Sequence, residues 1–524
     1  MFTTTTIKPR RISAPRTRRT TTWCLAQPAK VSSATTIQKE ENINDSVAAI
    51  DAPEANLKKQ IANNEENGPN RTGLNGLTQG GTDGLSSGHF TVSASIPIQY
   101  AVKEVPSSLF NKASTDLLVG VVPDSYPLRC GCGKDLRIPL RRLIVIDENV
   151  YQHHGDDLHA YMKHHDVEYE VLTLPTREEN KEMALVFEVA ERMRKFGVDR
   201  RRHPVIAIGG GVCLDIVGLA VNLYRRGTPV IKCPTTLMGV VDASIGVKTG
   251  VNFNGHKNKL GTYSPPLATL IDRSLMSSLD TRNIRNGAAE IVKMACVKDD
   301  VLFELLEDHA DALVQAHFCP SRDAAPHLEK VASNTIRRSI QGMLEELEPN
   351  LHEHILIRLV DYGHTLSPPL EMAALESNAP LLHGEAVAID MAVTTELSAM
   401  RGLITPDERR RTISILKALE LPLWHPSLNR DVVAYALRDA ASLRSGYQRI
   451  PLMTGIGEAS FFSDIQVDEV VKAVESARIE HASLYGDASA TLEGYNWPGE
   501  PVQSSQRRDV QAARVRKLPE HLRN

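Results

Sequence analysis

Glu290 and Lys293 stand three residues apart in NGAAEIVKMA, so a helix through them presents an acid and a base on one face. Alone, such a pair reads as an ordinary surface ion pair of little worth. The neighbouring sequence adds more. Asp242, Lys248, His256, Lys257 and Asn258 fall within seventeen residues, interleaved with glycines. Asp361, His364 and His383 stand in DYGHTLSPPLE and LLHGEAV, although their local spacing is not a zinc motif. Upstream, Gly209, Gly210 and Gly211 close an apolar run at 205–208 and precede apolar residues at helical spacing over 212–223. Strand, glycine turn and helix together suggest a phosphate-binding element. Glycine lets the backbone approach a ligand, and free helix N–H groups attract an anion. The triplet is not GxGxxG, and turns of this kind are often only structural.

The elements that must position these groups follow from apolar periodicity. FTVSASIPIQYAV, from Phe90 onward, reads as strand, LIVID at 143–147 as a buried strand, 158–163 as helix, 169–174 as strand and 181–196 as helix. PTT at 234–236 closes another strand. Alternation of this kind predicts a parallel α/β sheet. After Ile271 the period becomes helical, over 301–316, 323–347, 380–401, 406–419, 431–441 and 467–481. The expected architecture is an α/β domain at 89–275 and a mostly α-helical domain at 276–486, with the boundary near 273–280. Residues 1–88 and 487–524 read as polar tails, and no internal repeat is present.

With these residues in order, the chain resembles a known family. GGGVxxD, YRRG, PTTL, VDASIGxKTGVN, HKN and AEIVK resemble the sugar phosphate cyclase superfamily, whose best-known member is 3-dehydroquinate synthase. The resemblance spans about Arg141 to Asp464. It implies an α/β NAD-binding domain followed by a helical metal-binding domain, and a homodimer. It assigns NAD contacts to Asp147, Asn149, Glu178, Lys181, Gly210, Gly211, Val212, Asp215, Thr235, Thr236 and Lys257. Zinc or cobalt would be held by Glu290, His364 and His383, leaving positions open for substrate oxygens. Lys248, Arg226 and Asn258 would surround the substrate and its phosphate, and a basic cradle stabilises a phosphate leaving group. Lys293 would hold substrate hydroxyls near the metal. Asp242 would sit with Lys257 between cofactor and substrate. The implied chemistry is transient oxidation by NAD, elimination of phosphate, return of the hydride and intramolecular aldol closure.

Within that superfamily, dehydroquinate synthases carry asparagine and a second histidine where Asp361 and Pro368 stand here. DYGHTLSP, HGEAV and LEPNL, with Leu347 and Asp361, resemble the group that makes 2-epi-5-epi-valiolone from sedoheptulose 7-phosphate. A substrate carboxylate beside Asp361 would meet like-charge repulsion. One departure is LRSG, which puts Leu443 where that group carries a histidine. The alternatives are a desmethyl-4-deoxygadusol synthase, a 3-dehydroquinate synthase and, in another class, a metal-dependent alcohol dehydrogenase. The latter would lack the YRRG and HKN cradle.

Composition bounds the rest. The 524 residues are 42% hydrophobic and 24% charged with a net charge of −4, which gives no nucleic-acid footprint. No apolar run approaches the roughly 18 residues of a membrane span. The seven cysteines lack a repeated CxxC, and Cys130 and Cys132 form the only close pair; free thiols in a reducing compartment are expected. Residues 1–39 contain no Asp or Glu and are rich in Thr, Ser and Arg, as in an organelle transit peptide or a basic tail. The expected location is therefore the cytoplasm, or a plastid or mitochondrion. Deleting residues 1–80 is expected to leave folding and turnover nearly unchanged, because the stretch has no periodic apolar face. Circular dichroism and steady-state rates check this, and an aggregating or inactive truncation would show that the stretch packs on the core.

Overall fold

The computed structural model describes residues 94–121 and 140–485, apart from 255, 324, 376 and 378. Cys130, Cys132 and both polar tails lie outside the described residues. In chain order the elements are β1 (Ala101–Glu104), β2 (Arg141–Asp147), α1 (Glu148–His164), β3 (Glu168–Leu174), α2 (Met183–Phe196), β4 (Val205–Gly209), α3 (Gly211–Leu223) and β5 (Val230–Pro234). A hairpin of β6 (Lys248–Phe253) and β7 (His256–Tyr263) follows, then β8 (Ala268–Ile271). The helical half comprises α4 (Thr281–Val297), α5 (Asp300–Gln315), α6 (Pro326–Leu347), α7 (Ser367–Leu375), α8 (His383–Met400), α9 (Pro406–Ala418) and α10 (Arg430–Leu443). A second hairpin, β9 (Ile450–Gly455) and β10 (Glu458–Phe462), precedes α11 (Val467–Tyr485).

Six strands form one parallel sheet in the order β1-β8-β5-β4-β2-β3. Strands buried on both faces read as continuous apolar runs, and VIAIG of β4 is buried throughout. Leu143, Val145, Val205 and Ala207 face α2 and α3, while Ile144, Ile146, Ile206 and Ile208 face Leu158 and Tyr161 of α1. Asp147, Gly209 and Thr235 all lie at the carboxyl ends of strands, where such sheets bind ligands.

In the helical half, α4 and α8 are buried nearly all round, over residues 287–297 and 384–398. They touch at Gly384, where a Cβ would lie 1.9 Å from the Asn286 carbonyl oxygen, so only glycine fits. The Gly384 N–H donates to Asn286 Oδ1 at 2.6 Å, and Arg282 donates to both Glu385 oxygens at 2.7 and 2.8 Å. Among the described residues no helix is long and apolar enough to cross a membrane.

Several expectations change. Of the strand anticipated from Phe90, residues 90–93 lie outside the described residues, and from residue 94 onward only β1 forms, an edge strand whose partner β8 offers four residues to pair. The helix at 158–163 begins ten residues earlier, at Glu148, where Asp147 caps it by accepting from the Asn149 and Val150 N–H groups. Its first turns are polar and partly exposed, which hid them from the apolar pattern. Helix α7 opens on Pro368 and Pro369, which a first helical turn tolerates. The two hairpins carried no alternation clear enough to announce them.

The β6–β7 hairpin lies along α3, where a Cβ at Gly218 would stand 2.4 Å from Thr249 Cγ2. Gly218→Ala is therefore expected to cost about 2 kcal/mol by forcing hairpin and helix apart. The shift of the urea midpoint at constant m-value measures it, and an unchanged midpoint would mean that the hairpin yields freely.

Candidate active site

Glu290 lies on the buried face of α4, His383 is the first residue of α8, and His364 sits in the turn before α7. One donor atom from each lies within 4.8 Å of the others. Glu290 Oε1 is 3.6 Å from His364 Nε2 and 3.4 Å from His383 Nε2. Each imidazole is turned by its other nitrogen. His364 Nδ1 meets the Tyr362 carbonyl at 2.9 Å, and His383 Nδ1 meets Glu371 Oε2 at 3.2 Å. Both Nε2 atoms therefore face Glu290, the arrangement that metal-ligating histidines need. Both Glu290 oxygens are buried and accept no well-aligned hydrogen bond; Lys293 Nζ lies 2.5 Å from Oε2. Unpaired carboxylate lone pairs beside two aimed imidazoles fit a divalent cation.

Electrostatics separate the two histidines. Burial pushes His364 down to about 4, which keeps it neutral. Burial also opposes charge on His383, but Glu290 and Glu371 outweigh it and raise His383 to about 9. Burial would discharge Lys293 as well, yet Glu290 and Asp242 hold its ammonium above the ordinary value. Asp242 stands on the helical turn after PTT, and burial and then the charge of Glu290 push its carboxyl up.

The glycine turn meets α3 in a way that leaves room for a ligand. A Cβ at Gly210 would lie 3.0 Å from Thr236 Cγ2, and one at Gly211 would lie 3.3 Å from Ala243 Cβ. No side chain caps α3, so its leading N–H groups are offered to an anion, which fits a dinucleotide pyrophosphate. Thr235 is buried with its N–H on the Gly209 carbonyl, and Thr236 Oγ1 accepts from Gly239. Val212 follows at the start of α3. Lys181 pairs with Asp215 at 2.6 Å and donates to Asn258 Oδ1 at 2.7 Å. Glu178 accepts from Asn252 at 2.8 Å and pairs with Lys257 at 3.3 Å. Lys257 also pairs with Glu371, the partner of His383. A continuous charged chain thus joins the nucleotide side to the histidine side.

Not every expected residue joins this cluster. The oxygens of Asp147 are taken by its helix cap and by Thr176 Oγ1, and Asn149 is exposed. Asn258 is tied to Lys181 at the turn end of the hairpin, whereas Lys248 sits at the open end opposite Tyr263. Arg226 is exposed in the turn beyond α3, and among the described residues no hydrogen bond or ion pair joins it to the site. Lys248 instead pairs with Glu353, which pairs with Arg358. Asp361 is clamped by Arg358 at 2.5 Å and Arg444 at 2.9 Å. Burial pushes its carboxyl up, but the two arginines outweigh that and hold it below its ordinary value. The repulsion expected from a free Asp361 is therefore already compensated. Leu443 is 59% exposed at the end of α10, and its neighbour Arg444 is the residue that reaches the site.

Residues 171–286 match the family model of the 3-dehydroquinate synthase N-terminal region, and residues 287–441 that of the C-terminal region. A 2-epi-5-epi-valiolone synthase of Actinomyces sp. is 49% identical over 64% of this chain and 87% of its own. Another, from Streptomyces hygroscopicus subsp. jinggangensis (strain 5008), is 50% identical over 64% of this chain and 80% of its own. The solved structure of ValA, the 2-epi-5-epi-valiolone synthase of that Streptomyces with NAD+ and Zn2+ bound, superposes with a TM-score of 0.67 at 46% identity, covering 75% of this chain and 100% of ValA. A demethyl-4-deoxygadusol synthase of Trichormus variabilis (strain ATCC 29413 / PCC 7937) is 36% identical over 64% of this chain and 80% of its own.

The chain belongs to the 3-dehydroquinate synthase-like sugar phosphate cyclases. In this cyclase the sequence reading missed four residues that do physical work at the site. Asp390 of α8 accepts from the Thr365, Leu366 and Ser367 N–H groups at 2.8, 2.5 and 3.0 Å, fixing the turn that carries His364. Lys232, fully buried, donates to the Ala243 and Gly246 carbonyls at 3.3 and 3.2 Å and supports the Asp242 turn. Glu371 and Arg358 are the others. Glu371 was visible only as the last letter of LSPPLE, and the spacing gave no partner for it.

Burial would raise the Glu371 carboxyl, but Lys257 and His383 bring it down to about 2, so it stays ionised. Glu371→Gln is expected to weaken divalent-ion affinity about 10–100-fold by loosening His383. Competition against a chelating dye measures this, and an unchanged affinity would show that Glu371 serves Lys257 alone.

Proposed function

We propose that this cyclase converts sedoheptulose 7-phosphate to 2-epi-5-epi-valiolone with loss of inorganic phosphate. The observation that carries the reading is the higher identity to valiolone synthases than to the deoxygadusol synthase. Glu290, His364 and His383 are the residues to hold a divalent ion. The glycine turn, Thr235, Thr236, Asp215, Lys181, Glu178 and Lys257 are those to hold NAD+. Bound there, the two would supply a reversible oxidation of one ring hydroxyl and polarisation of its oxygen.

The chain's own side chains account for the remaining steps. Lys293, buried and held cationic between Glu290 and Asp242, donates to a substrate hydroxyl next to the metal ligands. Lys248 is 60% exposed at the mouth, with Arg358 reached through Glu353, so these two cations receive the phosphate and stabilise it as it leaves. Asp361 contributes to selectivity by occupation. It occupies Arg444 and the Nε–Nη2 edge of Arg358, which would otherwise receive a substrate carboxylate, and leaves the Nη1 of Arg358 to Glu353. A polyol end needs no such cation.

With sedoheptulose 7-phosphate, phosphate release is expected without net nicotinamide absorbance, and mass spectrometry and NMR should identify 2-epi-5-epi-valiolone. Preference for 3-deoxy-arabino-heptulosonate 7-phosphate, giving dehydroquinate, would refute the substrate. Desmethyl-4-deoxygadusol would keep the substrate and overturn the product. Net accumulation of NADH would point to a dehydrogenase.

A further inference from the structure

Glu353 has no role in the chemistry just described, yet it sits in the middle of the cations that chemistry uses. Its carboxylate pairs with Lys248 from β6 and with Arg358, and the Tyr263 hydroxyl lies 3.4 Å from its Oε2. Its side chain is 15% exposed, as is that of Arg358, so the contact is largely shielded from water. The residue holds φ +55°, a left-handed conformation that a side chain with a Cβ adopts only at a cost. That backbone points the carboxylate inward, between its neighbours His352 and His354, which are exposed. Arg358 also holds Asp361, so the cations and acids alternate from Lys248 through to Arg444.

We infer that Glu353 is an internal counter-anion. It occupies the phosphate cradle formed by Lys248 and Arg358 when no phosphate is bound, and competes with phosphate for those cations. This rests on the reading of Lys248 and Arg358 as the phosphate cradle. Two consequences follow from the chemistry. Two cations facing each other without an anion would repel, so the empty cradle would splay; Glu353 keeps it assembled. The reaction also leaves inorganic phosphate in the site after each turnover. A dianion held by two cations, one of them the shielded Arg358, leaves slowly, and a carboxylate able to take its place speeds the exchange. The sugar phosphate, anchored additionally through its hydroxyls, tolerates the competition better than free phosphate does. Glu353 thereby favours substrate over product.

The test uses the full-length enzyme loaded with NAD+ and divalent ion, and inorganic phosphate as the probe. Glu353→Gln keeps the size and the contact to Tyr263 but removes the charge. The expected result is inhibition by phosphate about tenfold tighter than in the unmutated enzyme, with a smaller fall in KM and a lower kcat as release slows. Lys248→Gln in parallel should weaken phosphate inhibition at least about tenfold, and NAD+ binding in both variants reports that the fold is intact. If Lys248→Gln weakens phosphate while Glu353→Gln leaves it unchanged or weaker, the cradle stands and the counter-anion is overturned. If phosphate is indifferent to Lys248→Gln, the cradle itself is wrong and the inference falls with it. Should Glu353→Gln not bind NAD+, phosphate binding to the unmutated enzyme can be followed by isotope-edited infrared of the carboxylates; no release of a paired carboxylate on binding would equally overturn the inference.

Discussion

A carboxylate buried without hydrogen-bond donors is among the costliest groups a protein can carry, and Glu290 is one. Among the described residues its charge is balanced by the Lys293 ammonium one helical turn away and by His383, while the neutral His364 also turns its Nε2 toward it. Much of the helical half is arranged to keep those compensating groups in place. Gly384 lets α8 approach α4 closely enough for His383 to reach Glu290. Asp390 pins the turn that carries His364. Breaking either support would leave a buried charge unbalanced, which costs more than the contact itself. A divalent ion held there would complete the same balance, so the cost of burying Glu290 and the fit of the site to a metal have one origin.

The second constraint is the chain of charges from Glu178 through Lys257 and Glu371 to His383. Glu178 follows the third strand of the sheet, and His383 opens a helix of the other half. Lys257 is carried between them on the β6–β7 hairpin, which itself lies along α3. Side chains expected to face cofactor and metal are therefore held by one another. Reversible oxidation of a ring hydroxyl needs hydride acceptor and metal on opposite sides of one carbon, and small displacements between them are expensive. Direct ion pairing between the two sets of ligands is an economical way of fixing that spacing, since Lys257 and Glu371 at its centre are buried enough to escape most screening.

The sheet was legible because its central strands β2, β4 and β5 are buried on both faces and write themselves as apolar runs. The pair Glu290 and Lys293 marked a helical turn in α4, but by itself it read only as an ion pair. The histidines and Asp361 were legible only through resemblance, since 74 and 93 residues separate Glu290 from His364 and His383. Nothing in local spacing links groups that meet through tertiary packing. For the same reason Glu371, Asp390 and Lys232 went unread. Each is a polar residue in an apolar stretch, and its partner is a backbone group or a side chain fixed by another element. Arg226 and Asn258 show the converse. Their motifs are present, but within one chain Arg226 stays at the surface and Asn258 turns toward Lys181.

Asp361 shows how the physical reading of a residue changes once its partners are known. Read from sequence, it is a negative charge that would repel a carboxylate. In the folded chain it is half of a clamp whose other half is two arginines, and its field beyond them is small. On the function proposed above, its effect on selectivity would be to remove available positive charge from that end of the site. Asparagine at the same position would leave Arg444 without its carboxylate and Arg358 with Glu353 alone, and a buried guanidinium short of negative charge seeks an anion. The dehydroquinate synthase pattern, with asparagine there, is thus suited to a carboxylate-bearing substrate, and the pattern of this chain to a polyol. On that reading one side chain would change which substrates the site can neutralise without altering the metal ligands or the glycine turn.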